Sequence, residues 1–166
     1  MESAVFLMVL LVTLLAGQTF PQGKVDKNNI PQAIVSCMET QKLSDKYEVD
    51  GRMNPFYLRG DFDGDRKSDC AILIREKGSE KKGILICHSL APRVAVLGAG
   101  SKFVWDDDLS WMNAWQVYGK RSVEQGVGEG PPPKLLGEAI LAERQESASG
   151  LIYWNGKRFV WYQQGD

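Results

Sequence analysis

Asp61-Phe62-Asp63-Gly64-Asp65-Arg66-Lys67-Ser68-Asp69 runs directly into Cys70-Ala71-Ile72-Leu73-Ile74. An acidic, glycine-bearing loop that delivers the chain into an apolar run reads as a turn followed by a buried β-strand. Residues 69–76 and 82–90 then read as two strands joined by Lys77-Gly78-Ser79-Glu80-Lys81. A register centred on Gly78-Ser79 places Cys70 opposite Cys87, Ile72 opposite Leu85 and Ile74 opposite Gly83, all on one face.

The same signals extend toward the C-terminus. Val94-Ala95-Val96-Leu97 is a further short strand ended by Gly98, and Glu138 to Glu143 reads as another. Ile152-Tyr153-Trp154 and Arg158-Phe159-Val160-Trp161-Tyr162 flank Asn155-Gly156, a strong hairpin signal. Gly126 to Pro133 is a surface connection, and Trp105 to Trp115 reads as a loop with one helical turn begun at Asp108 or Ser110. Upstream, Asn29 as N-cap and Pro31 in the first turn predict a helix over 31–42, with Ile34, Met38 and Cys37 toward the core. The expected fold is α+β: a single domain with one mainly antiparallel sheet of six or seven strands and a short N-terminal helix. No internal repeat is present, which excludes a solenoid and a complete propeller within this chain.

Ala4 to Ala16 is an unbroken run of apolar residues and Thr13, followed by small Gly17 and polar Gln18-Thr19. That is the length of a secretory signal core and too short for a comfortable membrane span. The expected organisation is a signal peptide at 1–17, a polar arm at 18–30 and one globular domain at 31–166. The protein is thus expected to be exported, periplasmic or secreted. Hydrophobic content of 43% and aromatic content of 10% suit an ordinary globular chain. The charge of -1 leaves no basic footprint for nucleic acid or an anionic membrane surface.

In an oxidising compartment the three cysteines, Cys37, Cys70 and Cys87, permit one disulfide. The hairpin register favours Cys70–Cys87; three reduced cysteines buried as small hydrophobes are the other reading.

Asp61, Asp63, Asp65 and Asp69 fall at alternate or near-alternate positions of the loop, which lets their oxygens turn toward one centre, as a hard cation requires. Lys67 adds its carbonyl, and Gly64 allows the bend. This predicts Ca²⁺, with Mg²⁺ a poorer fit to a flexible multi-carboxylate loop. Zinc and copper are disfavoured because no His or Cys shares the spacing. An empty Asp/Gly turn is the alternative, but its crowded carboxylates would repel one another without a cation.

The stretch Gly60-Asp61-Phe62-Asp63-Gly64-Asp65-x-x-x-Asp69-x-Ala71-Ile72-Leu73 resembles the calcium loop of FG-GAP repeats, found in integrin α-chain propellers and many exported bacterial proteins. The resemblance covers about fourteen residues, in a single copy. It implies side-chain ligands at Asp61, Asp63, Asp65 and Asp69 and a backbone ligand at Lys67. The family often has glycine where this chain has Arg66, at a point that wants left-handed backbone. The ending Tyr153-Trp154-Asn155-Gly156…Trp161-Tyr162-Gln163-Gln164-Gly165-Asp166 is also similar to small exported bacterial proteins.

Catalytic signals are weak. His88, the single histidine, follows Cys87 in an expected strand, where neighbours face opposite ways, so the two form no dyad and His88 is read as structural. Trp105, Trp111 and Trp115, near Asp106 to Asp108, are candidate partner-binding residues, set against a role in the core. The function expected is an exported calcium-binding protein, non-enzymatic, in which the ion orders the 61–69 loop and the partner is an envelope or secreted protein. A carbohydrate- or protein-binding module using exposed tryptophans is the alternative, and a carboxylate-dependent hydrolase ranks third.

Overall fold

The computed structural model of the chain describes residues 25–89, 93–128 and 130–165. The expected signal peptide and residues 18–24 of the arm lie outside these. The elements are α1 (Gln32–Thr40), β1 (Tyr47–Val49), β2 (Tyr57–Gly60), β3 (Asp69–Glu76), β4 (Lys82–Cys87), β5 (Val94–Gly98), β6 (Ala114–Tyr118), β7 (Ala139–Arg144), β8 (Ala148–Trp154) and β9 (Phe159–Gly165), with short 3-10 turns at Lys27–Asn29 and Leu43–Asp45.

Among the described residues all strand pairings are antiparallel, and they form two sheets. The first has five strands in the order β1-β3-β4-β5, with β2 also on β3; the second has four in the order β6-β7-β8-β9. This corrects the α+β expectation and its single sheet: the described residues are mainly β, and the one α-helix among them is nine residues long. The reason lies in β3 and β4, which are buried on both faces along most of their length. So short a helix covers only one of those faces, and a second sheet is needed for the other.

Alternation along β3 and β4 sorts the core. Ala71, Leu73, Ile84 and Ile86 point inward to a cluster shared with Ile140 and Ile152 of the second sheet. Ile72, Ile74 and Leu85 point outward and are covered by Ile34 and Met38 of α1. On the far side of the second sheet, Leu151 and Tyr162 are covered by Val123 and Leu135 from the long 119–138 connection. No helix among the described residues is long and apolar enough to cross a membrane.

The β3–β4 register is the expected one, with Cys70 opposite Cys87, Ile72 opposite Leu85 and Ile74 opposite Gly83. The disulfide is not: Cys37 bonds Cys87, and Cys70 is a free, buried thiol. Cys70 and Cys87 share the outer face of the sheet, where α1 brings Cys37 down among them, so Cys87 has two candidate partners and takes the one on the helix. Burial pushes the Cys70 thiol above its ordinary pKa, opposed by nearby Arg59.

Candidate functional site

The 61–69 loop joins β2 to β3 and is held at both ends. Phe62 is fully buried in the inter-sheet cluster, so the loop is nailed to the core by its second residue. Burying a side chain of that size is worth about 1.5–3 kcal/mol. The backbone of Asp61 exchanges two bonds with Glu138 at the entry to β7: Asp61 N–H donates to Glu138 Oε2 at 2.9 Å, and Glu138 N–H donates to the Asp61 carbonyl at 2.6 Å. Gly64 has φ +84° and presses on Leu136, whose carbonyl carbon and oxygen would lie 2.8 Å from any added Cβ. Only glycine meets both demands at this bend. Arg66, where the resemblance wants glycine, adopts φ +68° despite its side chain.

Backbone N–H groups orient the carboxylates. Gly64 N–H donates to Asp61 Oδ1 at 2.8 Å, Asp65 N–H to Asp63 Oδ1 at 3.1 Å, and Lys67 N–H to Asp65 Oδ1 at 2.7 Å. One oxygen of each acid is thereby fixed. Asp61, Asp63 and Asp65 bring carboxylate oxygens within 4.8 Å of one another. A Ca–O distance of about 2.3–2.6 Å puts ligands on opposite sides of the ion about 4.6–5.2 Å apart, so the donor set fits a hard cation in both chemistry and span. Lys67 itself is exposed.

Asp69 sits elsewhere in the arrangement. It is fully buried, with Oδ2 accepting from Phe62 N–H at 3.1 Å and Oδ1 from Ser89 N–H at 3.0 Å. It clamps the loop, the start of β3 and the end of β4 together. Its neighbours form a second group, Asp63, Asp69 and His88, also with ligand atoms within 4.8 Å. His88 Nδ1 lies 3.1 Å from Asp63 Oδ2 and 3.6 Å from Asp69 Oδ2, yet it is buried without a hydrogen-bond partner. The spacing is that of a hydrogen bond but the alignment is not. Arg93, largely exposed, reaches to 3.8 Å of Asp63 Oδ2.

His88 is the residue that the loop's spacing misses, and its presence removes the argument against a nitrogen-ligated metal. The signal lies in the register: continued one step past Cys70–Cys87, it brings His88 level with Asp69, and the two side chains approach to 3.6 Å.

The tryptophans separate into two kinds. Trp115 is 5% exposed and donates its Nε1–H to the Pro55 carbonyl at 2.7 Å. It is a core residue. Trp105 is 72% exposed and meets Trp161 edge-on at 6.0 Å, and Trp161 meets Trp111 at 5.8 Å. Trp161 lies across Gly150, where an added Cβ would stand 2.1 Å from the indole. The acidic run beside Trp105 is used internally. Asp107 pairs with Lys81 at 2.6 Å, and Asp108 Oδ1 accepts from the Lys82 and Ser110 backbones.

In comparisons with known proteins, no family model matches the chain, and neither does a curated protein or a solved structure.

Proposed function

We propose that this is an exported, non-enzymatic binding protein whose 61–69 loop takes up one calcium ion through Asp61, Asp63 and Asp65. Lys67 lends its carbonyl, and Asp69 fixes the loop to the strand that follows. The observation that carries this is the convergence of three carboxylates, each with one oxygen already held by a backbone N–H group. Unit charges 4 Å apart repel by about 1 kcal/mol even in water, and a divalent ion reverses that cost. The resemblance to the FG-GAP calcium loop supports the same ligands. Export is supported by the apolar run at 4–16 and by a disulfide, which persists in oxidising compartments. The ion's role is structural, acting through linkage to folding, and the broader activity is recognition of an envelope or secreted partner.

The test is a thermal melt with calcium and with chelator, on the wild type and on Asp65→Asn. Saturation at about 100 times Kd stabilises by about 2.7 kcal/mol, a rise of roughly 5–10 °C for a domain of this size. The variant is expected to lose most of that rise. A wild-type melt unmoved by millimolar calcium overturns the proposal.

A second reading is favoured by one atom. His88 Nδ1, buried and unpartnered beside Asp63 and Asp69, completes a mixed nitrogen and oxygen donor set suited to a first-row transition ion such as Zn²⁺ or Mn²⁺. For metal–ligand distances near 2.1 Å, tetrahedral and octahedral sites have ligand–ligand edges of roughly 3.0–3.4 Å. The observed 3.1 and 3.6 Å approach that range. Stabilisation by zinc or manganese that exceeds the effect of calcium and vanishes in His88→Gln decides for this reading, and stabilisation by calcium alone decides against it.

A further inference from the structure

We propose that the cleft between the free edge of β5 and the β8–β9 hairpin binds an organic anion that carries a ring with an apolar face. This goes beyond the cation reading and does not depend on it. The cleft encloses about 770 Å³, within the roughly 300–1,000 Å³ typical of small-molecule sites. It is lined from both sheets, and β5 and β9 are each an edge strand of their sheet.

The chemistry of the walls is divided. The interior is aromatic: Phe103 and Phe159 are buried, and Trp154 and Trp161 are half-buried. His88 stacks on Phe159 at 5.9 Å, and Trp154 meets Phe159 edge-on at 5.2 Å, so the rings hold one another in position. The rim is cationic: Arg93, Lys102, Lys157 and Arg158 all line it, all are exposed, and no acid lines the cleft among the described residues. Lys102, Lys157 and Arg158 take part in no ion pair among the described residues. In a chain of net charge -1, four cations around one opening are a local concentration of one sign. Such a field draws carboxylate, sulfonate or phosphate, and arginine can grip it bidentately. A bare inorganic anion would leave the aromatic interior unused; a ring engages both, by stacking below and charge above. Sugar acids and aromatic acids share this chemistry.

The experiment measures tryptophan fluorescence and calorimetric binding with two anionic probes, trigalacturonate and 8-anilinonaphthalene-1-sulfonate, and with neutral maltotriose. The wild-type protein is compared with Lys157→Glu/Arg158→Glu, whose exposed side chains leave the turn's backbone bonds intact. At least one anionic probe is expected to bind, weakening roughly tenfold or more in the charge-reversed variant and also at high salt, where exposed charges are screened. Which probe binds identifies the source as saccharide or aromatic acid. Failure of both at millimolar concentration, equal affinity in the variant, or equal binding of maltotriose overturns the proposal.

Discussion

His88 Nδ1 stands 3.1 Å from Asp63 Oδ2, with both side chains almost wholly buried, although strands β3 and β4 separate the two in the chain. Asp63 therefore belongs to both carboxylate groups: it is shared by Asp61 and Asp65 on one side and by Asp69 and His88 on the other. Substitutions should separate the two. Asp63→Asn removes stabilisation by calcium and by zinc alike. Asp61→Asn removes only the calcium effect, and His88→Gln removes only the zinc or manganese effect. Melting temperatures across the three variants and three metals check the pattern. Loss of the calcium effect in His88→Gln would contradict it.

Arg66 holds φ +68°, a left-handed backbone that costs a residue with a Cβ about 1–2 kcal/mol. Arg66→Gly relieves that strain and removes a positive charge from the cation loop. The variant should melt higher by about 1 kcal/mol of stability and bind calcium more tightly. A lower melting temperature together with weaker calcium binding would show that the arginine side chain contributes a contact instead.

The cysteines give a chemical prediction. Native protein without reductant should present no thiol to a thiol reagent, because Cys70 is buried and its thiol is pushed up in pKa, and denatured protein should present one. Loss of the Cys37–Cys87 bond, whose sequence separation is 50, removes about 4 kcal/mol in the chain-entropy model. Cys37→Ser is therefore strongly destabilising and Cys70→Ala much less so, as denaturant melts would report.

Lys81 and Asp107 carry a pH dependence. The hydrogen bond from Lys81 holds the Asp107 carboxyl below its ordinary value, and the same bond raises the Lys81 ammonium above its own. A depressed carboxylate contributes stability above the unfolded pKa and loses it as pH falls through the folded value; a raised ammonium contributes below about pH 10.5 and loses it as pH rises further. The gap in melting temperature between wild type and Asp107→Asn should be small, since the pair is only partly shielded from solvent, and present near neutrality. It should close as the medium is taken below the ordinary carboxylate range. A gap that persists in acid would assign the effect to packing.

Much of the first sheet is legible in the chain because β3 and β4 carry the apolar runs Cys70 to Ile74 and Ile84 to Cys87 and are joined by a short turn, which leaves one sensible register. The β8–β9 hairpin is legible through Asn155-Gly156. The second sheet as a separate body is not. Its first strand, β6, alternates over only five residues in a stretch crowded with Trp and Asp, and it pairs with β7 across the 119–138 excursion. The choice of disulfide is hidden for a related reason: Ile34, Cys37 and Met38 share a helical face, but nothing local says that this face lands on Cys87 rather than beside it. His88 joins the acidic loop through the hairpin register and not through spacing along the chain, so a motif confined to 61–69 cannot contain it.

The most direct test is a calorimetric calcium titration of the chelator-stripped protein. One ion is expected to bind per chain, with the binding heat abolished in Asp61→Asn/Asp65→Asn. Absence of binding heat in the wild type, together with a melting curve that calcium does not shift, would contradict it.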